Sequence, residues 1–127
     1  MITSKNLPAH YLTNISDGKH DALTDAPEAM GGQSAGFKPV ELLEAALSSC
    51  INIVLRVSAD ARAIPLTGIT VRVKLNTEKK DESVFEYSID MQGDLTEAQR
   101  ATLLHAVAGC PVKKILSSAI SFKEIAG

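Results

Sequence analysis

The sequence predicts an α+β domain in which antiparallel sheets pack on one long central helix. Three observations predict it. A continuous stretch from about Pro39 to Ala61 repeats apolar residues at helical spacing. Two later stretches, GITVRVKLNTE and SVFEYSIDMQG, alternate apolar and polar residues at period two. The order of all the segments, ββαββααβ, is an α+β pattern with mostly antiparallel strands.

Taken in order, residues 9 to 25 read as a hairpin. HYLTNI alternates Tyr11, Thr13 and Ile15, Asp17-Gly18 is a two-residue turn signal, and KHDALTD returns. Pro27 to Gly36 holds three glycines and a proline, a loop that delivers the chain to a helix starting near Pro39, a residue suited to the first helical position. The helix carries Leu43, Ala46, Leu47, Cys50, Ile53, Val54, Val57 and Ala61 at the spacing of one buried face. After the AIPL break, Ile69, Val71, Val73 and Leu75 and then Phe85, Tyr87, Ile89 and Met91 mark two half-buried strands joined by the charged loop around EKKDE. Thr96 and Gln99 form a capping box for a helix through EAQRATLLHAVA, which Gly109 ends. CPVKKILSSA restarts a short helix with Pro111 in its first position, and ISFKEIA closes the chain as a strand.

The length of 127 residues fits a single domain, 1–127, and suffices to bury about two thirds of the surface the unfolded chain exposes. Hydrophobic residues make up 45% and charged residues 22%, the composition of an ordinary globular protein and not of a disordered one. With a net charge of −2 and no basic stripe, nucleic acid is not an expected partner. The longest apolar stretch, Ile51 to Val57, is interrupted by Asn52 and Arg56 and falls short of the ~20 residues of a membrane span. MITSKNLPAHYL lacks the features of a secretory signal, so the cytoplasm is the expected compartment. There, two cysteines are expected to be free thiols or a transient redox pair.

The neighbours of Cys50 at three and four residues are Ala46, Leu47, Ile53 and Val54, all apolar, a setting that suits a buried structural cysteine and raises a thiol pKa. A reactive thiol here needs a cation or a hydrogen-bond donor from elsewhere in the fold. Cys110 stands at the start of a helix, with Lys113 and Lys114 one turn on, where a thiol acts either as a small capping residue or as a functional group. His10, His20 and His105 lack the close spacing of a zinc site, so no metal is expected.

GGQSAGFKPVELLEAALSSC, Gly31 to Cys50, and GCPVKKILSSAI, Gly109 to Ile120, together resemble the two signature segments of the OsmC/Ohr family of osmotically inducible and organic-hydroperoxide-resistance proteins. The resemblance runs over residues 10 to 125, and SDGKH and LRVSAD make it closest to the short, general OsmC-like subgroup. It implies an OsmC-like fold in an intertwined, domain-swapped homodimer with active sites at the subunit interface. It also implies a mechanism in which Cys50 reduces an organic hydroperoxide to an alcohol and becomes a sulfenic acid, and Cys110 condenses with it to a disulfide. A dithiol, typically lipoyl-bearing, regenerates the thiols, and no cofactor is needed. Leu47, Ile53 and Val54 would then be the apolar wall for a lipid-like peroxide.

Two positions depart from the family pattern. The family's N-terminal arginine is missing, since no arginine precedes Arg56; Lys19 and His20 on the return strand are the candidates to supply its charge, without the planar fork of a guanidinium. Val40 stands directly after Pro39, where the family has a glutamate, and the first carboxylate, Glu41, is the catalytic candidate in its stead. Nine residues of helix rotate by about 900°, which sets Glu41 opposite Cys50, whereas position 40 lies about 80° away. Glu44 and Arg56 are each about 120° off, and Arg56 is a candidate to reach a partner subunit. The expected activity is thus a thiol-dependent organic hydroperoxide reductase. The alternatives are a non-catalytic protein of the same fold that binds a hydrophobic small molecule, and a slow thiol redox sensor.

Overall fold

The structure, a computed structural model, describes residues 1–127. The chain divides into two compact units, Met1–Glu44 and Ala45–Gly127, and the division falls within the long helix α1 (Pro39–Ala61).

In the first unit, β1 (Thr3–Asn6), β2 (Thr13–Ser16) and β3 (Asp21–Thr24) form an antiparallel sheet in that order, with Ile15 opposite Ser4 on one side and Ala22 on the other. The Asp17-Gly18 signal marks the turn, but the turn runs over four residues, Asp17 to His20, and not two: Ser16 pairs with Asp21, so Lys19 and His20 lie in the turn and not on the return strand. One oxygen of the Asp17 carboxylate accepts from the Lys19 and His20 amides at 2.8 and 2.7 Å, and Gly18 takes φ 96°, where a Cβ is strained. The buried side chains of this unit are polar, Thr24 and Asp25. Asp25 gathers the glycine-rich loop, its Oδ1 accepting from the amides of Tyr11 (3.3 Å) and Ala26 (2.8 Å) and its Oδ2 from those of Gln33 and Ala35 (3.1 Å each). Gly32 is required by the same packing, because a Cβ there would lie 1.9 Å from the Ala26 carbonyl oxygen. The loop contains a single 3₁₀ turn, Glu28–Met30, and its end is held where Phe37 donates to the Leu23 carbonyl at 2.9 Å.

The second unit has an apolar core. α1 supplies Leu47, Ile51, Leu55 and Ala59, each buried, and packs with Ile64, Leu66, Met91, Leu103, Val107 and Cys110. Full burial of a Leu or Ile stabilises the fold by about 1.5–3 kcal/mol. β4 (Gly68–Asn76) and β5 (Val84–Gln92) form an antiparallel hairpin whose facing pairs Ile69–Met91, Val71–Ile89, Val73–Tyr87 and Leu75–Phe85 carry the predicted apolar alternation. The Thr96–Gln99 capping box opens α2 (Glu97–Ala106), with reciprocal bonds of 3.1 and 2.9 Å. A 3₁₀ turn, Val107–Gly109, leads into α3 (Pro111–Leu116), with Cys110 as its cap.

Several expectations are corrected. A third N-terminal strand, β1, precedes the hairpin, whose first strand starts at Thr13 and not near His10. The element order is therefore βββαββαα. The closing strand ISFKEIA is absent: a strand needs an edge to bond to, none in this chain receives the segment, and Ile120, Phe122 and Ile125 stand 56, 95 and 67% exposed. α2 ends at Ala106, with the tighter turn carrying the chain to Gly109.

The buried face of α1 also differs from the predicted stripe. Leu43, Ile53 and Val57 are exposed, Ala46 and Ala61 with them, and the core side is instead the row Leu47, Ile51, Leu55, Ala59 at spacing four. α1 is apolar on two faces, and periodicity alone does not say which one the hairpin takes. By length and composition alone α1 is apolar enough to cross a membrane, with a mean hydropathy of 1.5 over 18 residues, which the interrupted run Ile51–Val57 does not convey; its Leu47–Ala59 row belongs to the core.

Candidate active site

The two cysteines meet in the second unit. α1 brings Cys50, half-buried, against the core cluster that contains the fully buried Cys110. Pro111 cannot donate a backbone hydrogen bond and starts α3 at once, which leaves Cys110 in an extended conformation (φ −62°, ψ 116°) as the helix cap. Its Sγ accepts from the Lys113 amide at 3.5 Å. Burial is the main cause that pushes the Cys110 thiol above its ordinary value, and the neighbouring Cys50 thiol adds to it; the Lys113 amide acts in the opposite direction. Cys110 therefore keeps its proton. Both thiols are free.

Lys113 has a second contact. Its Nζ donates to the Tyr87 hydroxyl at 3.4 Å and lies 5.6 Å from the centroid of the Tyr87 ring. The basic charge one turn beyond Cys110 is visible in the sequence, but its partner on β5 depends on how the hairpin is placed, and nothing in the spacing signals Tyr87.

The other residues singled out from the sequence have definite places. Leu47 is in the core, Val54 packs against it, and Ile53 is 63% exposed on the open face of α1. The Arg56 guanidinium is committed to structure: Nη1 donates to the Leu66 carbonyl at 2.8 Å and Nη2 pairs with Asp60 Oδ1 at 3.1 Å. Glu41 and His20 belong to the first unit. Glu41 Oε1 accepts from the Lys38 amide at 2.8 Å, which makes it a cap of α1. His20 Nδ1 bonds Asp17 Oδ2 at 2.9 Å in the exposed hairpin turn, and this bond is the main cause that holds the Asp17 carboxyl down at about 2. Asp25 escapes sequence reasoning altogether, because a single aspartate beside a glycine-rich loop carries no spacing signal.

The chain is thus an α+β protein in which a helix-borne cysteine packs against the core that holds a second, helix-capping cysteine. Residues 31–124 match the family model described as OsmC-like protein, so the chain belongs to the OsmC-like family. No curated protein matches it. Among solved structures, it is similar to a Psychrobacter arcticus protein provisionally named an osmotic stress induced and detoxification response protein, at 24% identity and a TM-score of 0.74, over 91% of this chain and 88% of that one. It is also similar to the organic hydroperoxide resistance protein OsmC of Legionella pneumophila (16% identity, TM-score 0.66, 92 and 88% covered). A third similar fold is the organic hydroperoxide resistance protein OhrB of Bacillus subtilis (22% identity, TM-score 0.64, 92 and 89% covered).

Proposed function

We propose that the protein is a cysteine-dependent reductase of organic hydroperoxides that works as a cytoplasmic homodimer. The observation that carries this reading is that Cys50 on α1 packs against the core cluster in which Cys110, the cap of α3, is buried. The Cys50 thiolate attacks the distal peroxide oxygen; the O–O bond breaks, the alkoxide takes a proton and leaves as an alcohol, and Cys50 becomes a sulfenic acid. Cys110 then loses its proton and attacks the Cys50 sulfur. An S–S bond forms, the S–O bond breaks, and water leaves. An external dithiol, of the lipoyl type in the family the chain resembles, gives two electrons and two protons to restore both thiols and is itself oxidised to a disulfide. The names of the Legionella and Bacillus proteins support the substrate class.

The open face of α1 supports the homodimer. Ala46, Cys50, Ile53 and Val57 are spaced by four, three and four residues, the seam by which two helices pack, and Ile53 and Val57 are 63 and 61% exposed in the single chain. Cys50 lies in that seam, so a second copy would also close the site.

Hydrophobic-ligand binding without catalysis is the second reading, favoured by Arg56, whose guanidinium is spent on Leu66 and Asp60 and not on a thiol. The test is thiol loss at Cys50, followed by mass spectrometry after mixing the reduced protein with cumene hydroperoxide or hydrogen peroxide. The peroxidase reading expects fast loss selective for the organic peroxide, ending in a Cys50–Cys110 disulfide. It also expects Cys50→Ser to lose about 10³-fold or more of the peroxide consumption, and Cys110→Ser to accumulate the sulfenic acid. Loss no faster than that of a free thiol, with ligand binding intact in both variants, sinks it in favour of the second reading.

A further inference from the structure

α3 is too short to hold its own shape. Six residues form little more than one and a half turns, well below the length at which an isolated helix persists in water. None of its residues is fully buried, Ile115 is 63% exposed, and the chain beyond it has no regular structure. Its direction is therefore set by a few contacts near its start. Val112 packs against the core, and the Cys110 cap receives the Lys113 amide. The side chain of the same Lys113 reaches the Tyr87 hydroxyl and ring. Tyr87 is in turn fixed by the β4–β5 register, opposite Val73. Lys113 thus links the rigid hairpin to the atom that aims the Cys110 sulfur.

We propose that Tyr87 and Lys113 form a clamp that holds the Cys110 sulfur in line for attack on Cys50, and so set the rate of disulfide closure and not of the first oxidation. They are positioning residues that act through the first turn of α3. Thiol–disulfide chemistry requires the attacking sulfur to approach along the bond it will break, so a turn free to fray lowers the fraction of time in which Cys110 can react. A cation on an exposed aromatic face contributes enough for its loss to slow such a step by about two- to fivefold.

The inference rests on the two-thiol reading of the site but not on the peroxide, and its test separates the two. The reduced protein is mixed with the chromogenic disulfide dithio-bis-nitrobenzoate. The Cys50 thiolate breaks the reagent's S–S bond, forms a mixed disulfide and releases one nitrothiobenzoate anion at a rate proportional to reagent. The Cys110 thiolate then attacks the Cys50 sulfur and releases a second anion, at a rate independent of reagent. Lys113→Met and Tyr87→Leu are expected to leave the first release unchanged and to slow the second by about two- to fivefold. Lys113→Arg and Tyr87→Phe, which keep a cation and a ring, are expected to restore most of the second rate. An unchanged second release in Lys113→Met and Tyr87→Leu overturns the clamp. So do equal slowing of both releases with a fall in Tm, failure of Lys113→Arg to restore the rate, and the absence of any second release in the parent. Success here with no reaction toward hydroperoxides would sink the peroxidase reading and leave the clamp standing.

Discussion

The two units each bury one ionisable group, and they treat it in opposite ways. In the first unit the Asp25 carboxylate is 3% exposed, yet four backbone amides point at its oxygens and the Ala35 amide leads in drawing its pKa below the usual value. In the second the Cys110 thiol is wholly buried among apolar side chains, and burial pushes its pKa up. Burial by itself disfavours charge; what decides the outcome is whether the backbone supplies donors enough to replace water. The first unit uses a charge to shape a loop. The second keeps charge off a buried sulfur.

Removing the apolar part of this contrast has the largest expected effect. Leu55→Ala empties a fully buried position of the second unit and is expected to cost about 2–5 kcal/mol in denaturant unfolding. A change below about 0.5 kcal/mol would mean that the row Leu47–Ala59 is not the core face.

Next in size is Asp25→Asn, in which one acceptor oxygen becomes a donor facing amides that are donors themselves. Tm is expected to fall by roughly 5 °C or more at neutral pH. The sign with pH follows from the lowered pKa: the contribution of Asp25 is present above the unfolded carboxyl value of about 4 and is lost as pH falls through the lower folded value. The parent should therefore lose stability on acidification, and Asp25→Asn less so, leaving the loss due to Asp17. Parallel Tm–pH curves would break the comparison.

Cys110 has the opposite sign. Its raised pKa gives a contribution present below the unfolded thiol value of about 8.5 and lost as pH rises through the higher folded value. Cys110→Ala is expected to flatten the alkaline limb of the Tm–pH curve. The closure rate measured with the chromogenic disulfide should rise with pH beyond that same value, since only the Cys110 thiolate attacks. A closure rate level from pH 7 to 10 would show that Cys110 is not the protonated partner.

The smallest effect on the fold itself is expected at the open face of α1. Val57→Asp should alter the stability of the single chain by less than about 0.5 kcal/mol, because Val57 is exposed there, while sedimentation shifts from dimer to monomer. An unchanged sedimentation coefficient would place the subunit contact elsewhere.

Much of this molecule is legible in its residue order. The bounds of α1, the β4–β5 hairpin and the start of α2 follow from Pro39, from strict alternation over residues 69–75 and 85–91, and from Thr96 with Gln99, because each is a local rule satisfied within a few residues. Both cysteines stand out through their flanking motifs. β1 is not legible, since Thr-Ser-Lys-Asn has no apolar alternation and only one strand former, Thr3, and it pairs as a strand where β2 offers it an edge. The reverse holds at the C-terminus, where ISFKEIA has the alternation and lacks an edge.

What the sequence by itself determined is the local chemistry: the helix, the hairpin, the caps, and a thiol at the start of a short helix. Which face of α1 enters the core, which amides converge on Asp25, and that Cys50 packs against the core around Cys110 while Lys113 reaches Tyr87, only the tertiary structure decided. The physical reason is that most of these depend on groups 8 to 60 residues apart meeting in space, and no short-range spacing rule encodes such a meeting.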